Sequence, residues 1–322
     1  MKPRRLVAPL KGVIEIEEYD MPVPGPGQVL AESLYTAISP GTELAWLHNM
    51  PNTSGKYPYY PGYSGCCRII GKADDVENFE IGQVVVCNAS HSSHLAIDVN
   101  RCIALPENVP QLDAAAYRLA SIALQGVRKA QIQLGDDVCV VGLGPIGNLA
   151  VQFSKAAGAG YVEGIDFVDW RRELALKCGQ DAAAASCEEA GPKSGYDIVI
   201  EATGAPKASL DAFKLTKRYG KVILLGSTRG NTDDVNFYRD VHVKGLTVIG
   251  AHESCRASAD NFGYFHTSRN DEETVVKLMA QGRIRTDLLI SETDSVDNAS
   301  IVYERLSKKD EKLMLVAFKW YA

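Results

Sequence analysis

The sequence predicts an α/β chain in two parts, a β-rich region and a doubly wound parallel sheet. Three observations predict it. The first third carries short apolar or alternating runs, punctuated by the turn chemistry of P-V-P-G-P-G (22–27) and P-G-Y-S-G (61–65). From about Asp113 strand and helix patterns alternate. At the first strand–helix joint stands V-C-V-V-G-L-G-P-I-G-N-L-A (138–150), with glycines spaced G-x-G-x-x-G.

In order along the chain, Leu6–Val7, Val13–Ile16, Val29–Leu34, Cys66–Ile70, Val84–Cys87 and Leu95–Val99 read as strands. The run D-A-A-A-Y-R-L-A-S-I-A-L-Q-G-V-R-K-A reads as a helix with Asp113 as N-cap. Strands follow at Val138–Val141, Tyr161–Asp166, Asp197–Thr203, Lys221–Gly226 and Leu246–Ala251, with a short candidate at Ala182–Ser186. The helices between them are Ile146–Ala157, closed by Gly158, Trp170–Cys178, closed by Gly179, and Ala208–Tyr219, closed by Gly220. The tail adds a helix near Glu272–Gln281 and a last strand at Met314–Phe318.

A chain of 322 residues exceeds the usual single core and suggests two domains. A net charge of -6 argues against nucleic acid or an anionic membrane as partner. The start M-K-P-R-R-L-V-A-P-L-K-G lacks the apolar core of a secretory signal, and no run reaches the roughly 18 apolar residues of a membrane span. The eight cysteines show no C-x-x-C pair, which fits reduced thiols and a cytoplasmic location; Cys66 and Cys67 should point to opposite faces of one strand.

The glycines sit where dinucleotide chemistry needs them. Gly142 allows the tight turn after the strand, Gly144 lets backbone approach a pyrophosphate, and Gly147 lets the helix pack closely. The helix start, with Pro145 and Ile146, then offers free N–H groups and a positive dipole end to phosphate. Asp166 lies 19 residues past Gly147, at the end of the second strand, where a carboxylate accepts from ribose hydroxyls and repels a 2′-phosphate. NAD is therefore the expected cofactor. Arg171 and Arg172, one turn later, are the residues that would accommodate such a phosphate.

With these residues in place, the chain resembles the medium-chain dehydrogenase/reductase superfamily, the relatives of zinc alcohol dehydrogenase, over nearly its whole length. The resemblance rests on V-P-G-P-G-Q-V-L (23–30), Y-P-Y-Y-P-G-Y-S-G (57–65), V-V-G-L-G-P-I-G (140–147), Y-D-I-V-I-E-A-T-G (196–204), G-K-V-I-L-L-G (220–226) and L-T-V-I-G-A-H (246–252). It implies a GroES-like catalytic domain over 1–113 and 266–322, split around a Rossmann cofactor domain over 114–265. It also implies hydride transfer in a cleft and a homodimer built on the edge strands of the cofactor domains. The matched strand ends add Thr203, Gly226 and His252 to the cofactor set.

The departures matter as much. Zinc members carry C-G-[ST]-D where this chain has I-S-P-G-T-E (38–43), so Ser39 or Pro40 stands for the ligand cysteine. They carry G-H-E where it has G-Y-S (62–64), so Tyr63 stands for the ligand histidine, and the third ligand falls near Ser121. Hydroxyl and phenol are poor zinc ligands beside thiolate and imidazole. The spacing of Cys87, His91 and His94 is compatible with chelation, but no fourth ligand is evident, so no metal is expected.

Without zinc, side chains must handle the hydroxyl proton and the developing charge. The candidates are Thr42, which matches the family's relay hydroxyl, Glu43, Tyr63, His91 and His94, with His48 held in reserve. The expected activity is oxidation of a small hydroxylated substrate, a sugar, polyol or similar secondary alcohol, to a ketone. Two alternatives stand beside it: an NAD(P)H-dependent quinone or enoyl reductase of the zinc-free branch, and a catalytically idle dinucleotide-binding protein.

Overall fold

The computed structural model describes residues 2–192, 194–257 and 266–321; the expected domain boundary at residue 265 lies outside the described residues. In chain order the elements begin with β1 (Arg4–Val7), β2 (Glu15–Glu18), β3 (Gln28–Ala37), α1 (Pro40–Leu47), β4 (Gly65–Lys72), β5 (Val84–Cys87), β6 (His94–Asp98) and β7 (Cys102–Ala104). Next come α2 (Gln111–Ala114), α3 (Tyr117–Ala130), β8 (Asp137–Val141), α4 (Pro145–Ala157), β9 (Tyr161–Ile165), α5 (Asp169–Lys177) and β10 (Ala182–Ala184). Then follow β11 (Tyr196–Glu201), α6 (Ala208–Leu215), β12 (Thr216–Leu224) and β13 (Thr247–Gly250). The chain closes with α7 (Ser268–Ala280), β14 (Ile290–Ser295), α8 (Ala299–Ser307) and β15 (Leu315–Lys319).

The contacts divide the chain into two units, one of Met1–Leu119, Glu272–Gln281 and Leu289–Ala322, the other of Ala120–Asp271 and Gly282–Leu288. The first unit is built on a seven-stranded sheet in the order β14-β15-β3-β4-β5-β7, with β6 also pairing β3, and a separate β1–β2 ribbon. Its pairs are antiparallel apart from β14–β15. Cys66 and Cys67 are both fully buried, and Cys67 joins the apolar cluster of Val29, Ile69, Val85 and Ile97.

The second unit holds a six-stranded sheet in the order β10-β9-β8-β11-β12-β13, parallel throughout. This is the doubly wound order, whose direction reverses between β8 and β11; ligands bind outside the carboxyl ends of the strands at such a switch. Gly158, at φ +102, closes α4 in the left-handed region, its N–H bonded to the Ser154 and Lys155 carbonyls. Among the described residues no helix is long and apolar enough to cross a membrane.

Three features differ from the sequence reading. Asp113 is not an N-cap: it lies inside α2, which begins after Pro110, and a separate helix α3 starts at Tyr117. The helix after Ala208 stops at Leu215 rather than at Gly220, because the Thr216 hydroxyl bonds the Ala212 carbonyl and Thr216 joins β12 opposite Tyr196. The sequence reading also passes over α1 and α8. In α8 the buried Ala299, Val302, Tyr303 and Leu306 follow the i, i+3, i+4, i+7 spacing of an amphipathic helix. In α1 Pro40 takes the first turn, and the Glu43 carboxylate reaches back to accept the Ser39 N–H at 2.7 Å.

Candidate active site

The carboxyl edge of the parallel sheet is shaped by residues that lack side chains. Gly142 sits at φ +91, and a Cβ there would lie 2.5 Å from Thr203 Cγ2. A Cβ on Gly147 would overlap the Gly142 carbonyl oxygen, so the helix start packs on the turn itself. Around Gly144 a Cβ would meet nothing within 4 Å, so backbone there faces open space. Pro145 takes the first helical position of α4, and the N–H groups of Ile146 and Gly147 belong to the turn that helix geometry leaves unpaired.

Asp166 is nearly buried at 7 % exposure beside this turn. Its Oδ2 accepts the Leu143 N–H at 2.9 Å and its Oδ1 accepts the Val168 N–H at 2.9 Å. Arg171 Nη1 stands 3.9 Å from Asp166 Oδ2. Arg172 instead donates to the Asp166 carbonyl at 2.6 Å and pairs with Asp169.

At the ends of β11 and β12 a carboxylate absent from the sequence-derived candidates ties the turns together. Glu201 has no exposed surface, and its Oε1 accepts from the Thr203 N–H at 2.7 Å, the Thr203 hydroxyl and the Gly204 N–H at 3.0 Å. Among the described residues its Oε2 has no hydrogen-bond partner, and burial raises its pKa above the ordinary glutamate value. Gly226 closes over it: a Cβ there would fall 2.9 Å from Glu201 Oε2. His252 is exposed past β13, where its Nδ1 accepts the Ser254 N–H at 3.2 Å.

In the first unit the structure brings Glu43 and His91 together. Both are fully buried, with His91 Nε2 3.1 Å from Glu43 Oε2. Tyr303, from α8, donates to the same Glu43 oxygen. His91 Nδ1 lies 2.7 Å from Thr36 Oγ1, which accepts the Trp320 Nε1–H at 2.8 Å. With Glu43 ionised, one consistent proton order runs through the cluster, from Trp320 to the Thr36 oxygen, from the Thr36 hydroxyl to His91, and from His91 to Glu43. Phe318 packs edge-on against the imidazole at 5.3 Å between ring centres.

Gly62, at φ +92, lies against this histidine. A Cβ there would be 2.5 Å from His91 N and 2.8 Å from its Cγ, and the His91 N–H bonds the Pro61 carbonyl at 2.9 Å. The turn that carries Tyr63 therefore rests on His91. Tyr63 itself is half-buried and close enough to Tyr59 to help burial and Glu43 push the Tyr59 phenol upward. Thr42 is half-buried on α1.

His94 is elsewhere, half-buried on β6 opposite Glu32, with Nδ1 3.0 Å from Ser93 Oγ; burial lowers its pKa. His48 ends α1 and bonds Ser307 Oγ at 2.8 Å. Cys87, His91 and His94 have separate partners, since Cys87 Sγ contacts Cys67 Sγ at 3.4 Å. Among the described residues no group of three His, Cys, Asp or Glu is placed to hold a metal ion.

The positions that match the family's zinc ligands carry donors of the wrong chemistry. Ser64, beside Tyr63, donates to the Ala115 carbonyl at 2.5 Å, and Ser121 Oγ accepts from Arg256 Nη1 at 3.1 Å. A guanidinium on the third ligand position opposes a second cation there. The residues present do not fit zinc.

Comparison with known proteins places these features in context. Residues 145–280 match the family model described as zinc-binding dehydrogenase. The chain is 28 % identical to the D-guloside 3-dehydrogenase of Shigella flexneri over 73 % of this chain and 70 % of that one. It is 27 % identical to the L-threonine 3-dehydrogenase of Pyrococcus abyssi over 86 % of this chain and 87 % of that one. Its fold superposes on a short chain alcohol dehydrogenase from Escherichia coli CFT073 complexed with NADH, with TM-score 0.85, 18 % identity and 98 % and 99 % of the two chains covered. In sequence the chain is thus similar to zinc-binding dehydrogenases, with the family match lying over residues 145–280.

Proposed function

We propose that the chain is an NAD-dependent, zinc-independent dehydrogenase that oxidises a secondary alcohol of a sugar, polyol or similar hydroxylated molecule to a ketone. The observation that carries this reading is Asp166, fixed by the Leu143 N–H beside a glycine turn that opens at Gly144. The relatives' names, dehydrogenases of a guloside and of threonine, point to the same class of substrate.

The glycine turn and the N–H groups of Ile146 and Gly147 would hold the pyrophosphate, and Asp166 would accept from the ribose hydroxyls through its remaining lone pairs. Thr203, Gly226 and His252, at the ends of the next strands, would be the remaining cofactor contacts. Arg171, 3.9 Å from Asp166, leaves the carboxylate in place while reducing its repulsion of a 2′-phosphate, so the preference for NAD is finite. Bound NAD supplies the hydride acceptor.

The protein's own task is the proton. Glu43 and His91 have no exposed surface, so in this reading they are positioning residues that set the Gly62–Tyr63 turn. The Tyr63 phenol donates a hydrogen bond to the substrate oxygen as its charge develops, and Thr42 passes the hydroxyl proton outward.

A panel of polyols, sugars and secondary alcohols with NAD, read as NADH absorbance, tests the proposal. Turnover there is the expected result. Signal only with enones and NADPH would replace it with the reductase.

A further inference from the structure

Among the described residues, Arg229 stands at the carboxyl edge of the parallel sheet without a counter-charge. Most half-buried or buried arginines of this chain face carboxylates: Arg68 with Glu32, Arg118 with Glu272, Arg128 with Asp271, Arg256 with Glu253, Arg305 with Glu292. Arg229 is half-buried, and among the described residues no carboxylate lies within ion-pair distance and its side chain makes no hydrogen bond. Burial without a compensating charge is what lowers its pKa from the usual arginine value.

Its backbone is held firmly. The Arg229 N–H bonds the Gly204 carbonyl at 3.1 Å, and Gly204, at φ +69, lies so close that a Cβ would stand 2.6 Å from the Ser227 carbonyl oxygen. Gly230, at φ +115, ends the segment. The guanidinium is thus mounted on the joined ends of β11 and β12, on the side of the sheet where ligands of such folds bind. A half-buried cation held there with no carboxylate beside it gains by meeting an anion.

We infer that Arg229 forms an anion subsite for the substrate, taking a carboxylate or phosphate carried by the hydroxylated molecule. Resting on the dehydrogenase reading above, this narrows the substrate from neutral sugars and polyols to hydroxy acids or sugar phosphates. The cofactor's own phosphates are the other source of the same chemistry. The sheet order favours the substrate, since β12 lies two strands from β8, roughly 10 Å at about 4.8 Å per strand, and the NADH arm of the test separates the two sources. The ribose end, at Asp166 after β9, lies one strand further away.

The test titrates inorganic phosphate against the protein with NADH held at saturation, so that the cofactor's sites are already filled. Thermal shift is the readout, and sodium chloride at matched ionic strength is the control. Wild type should show saturable stabilisation, Arg229→Gln should bind phosphate about 10- to 100-fold more weakly, and Arg229→Lys should fall between them. In the same preparations sorbitol 6-phosphate should be favoured over sorbitol in kcat/KM, and Arg229→Gln should remove that ratio while leaving the NADH Kd unchanged. Phosphate binding that is equal in wild type and Arg229→Gln overturns the subsite. So does an NADH Kd weakened as much as phosphate binding, since the guanidinium would then serve the cofactor. If phosphate binding depends on Arg229 and neither sorbitol compound is oxidised, the subsite stands and the dehydrogenase reading fails for those substrates.

Discussion

The glycine turn of the second unit and the His91 cluster of the first are built in opposite ways. The turn is made of backbone, and three of its six consecutive residues, 142–147, are glycines whose missing side chains shape it. The cluster is made of side chains from β3, α1, α8 and the segments after β5 and β15, with Tyr303 and Glu43 separated by 260 positions. At Gly142 and Gly147 the turn has no room for an added atom. A side-chain cluster tolerates partial loss, because the remaining members can reorganise around water or one another.

The largest effect should come from adding atoms to the turn. Gly147→Val places its Cβ on the Gly142 carbonyl, so NADH titration should show binding abolished, while Gly144→Ala, with open space around it, should retain part of it. Retained full affinity in Gly147→Val would break the comparison at its first half.

The second half is sharpened by two variants of the first unit. Tyr63→Phe keeps the ring and removes the hydroxyl, and should lower kcat by about 10²–10⁴-fold with little change in KM. His91→Ala should instead lower stability, by about 2–5 kcal/mol in denaturant titration, because Glu43 is left buried with one donor fewer. Its folded fraction should keep more kcat than Tyr63→Phe does. The reverse ranking of kcat would make His91 the proton-transfer group and Tyr63 a filler of volume.

Cofactor choice should respond more mildly. Asp166→Ser removes a charge that accepts two backbone N–H groups, and should narrow the ratio of NADH to NADPH affinity by about 10- to 100-fold. An unchanged ratio would remove Asp166 from the cofactor's ribose.

The smallest effect is a pH dependence at Glu201. Its folded pKa is raised by burial, so its contribution to stability is present below the unfolded value near 4.3 and is lost as pH rises through the folded value. Glu201→Gln does not titrate, so its stability relative to wild type should increase with pH above about 4.3. A difference that stays flat with pH would contradict the raised pKa.

This contrast also explains what was legible in the sequence. Gly142, Gly144, Gly147 and Asp166 act through local backbone geometry at fixed spacing, and the parallel sheet around them was readable from the same alternation of patterns. Glu43 and His91 were named as site residues, but their burial was not visible, because Thr36, Tyr303 and Trp320 complete the cluster from distant segments with no motif of their own. The helix carrying Tyr303 had a usable signal in the spacing of Ala299, Val302, Tyr303 and Leu306. Asp113 misled because a capping residue type inside a helix-forming run does not mark the start when Pro110 precedes it by three positions. Glu201 and Arg229 had no sequence signal, since only the fold shows one with an unpaired buried oxygen and the other without a counter-charge.

The most direct test of the whole account is turnover by protein dialysed against chelator, its zinc content measured in the same sample, with NAD and a panel of neutral and anionic secondary alcohols. The account predicts NADH formation at an unchanged rate in protein holding far less than one zinc per chain. Stoichiometric zinc whose removal abolishes turnover, and whose return restores it, would contradict it.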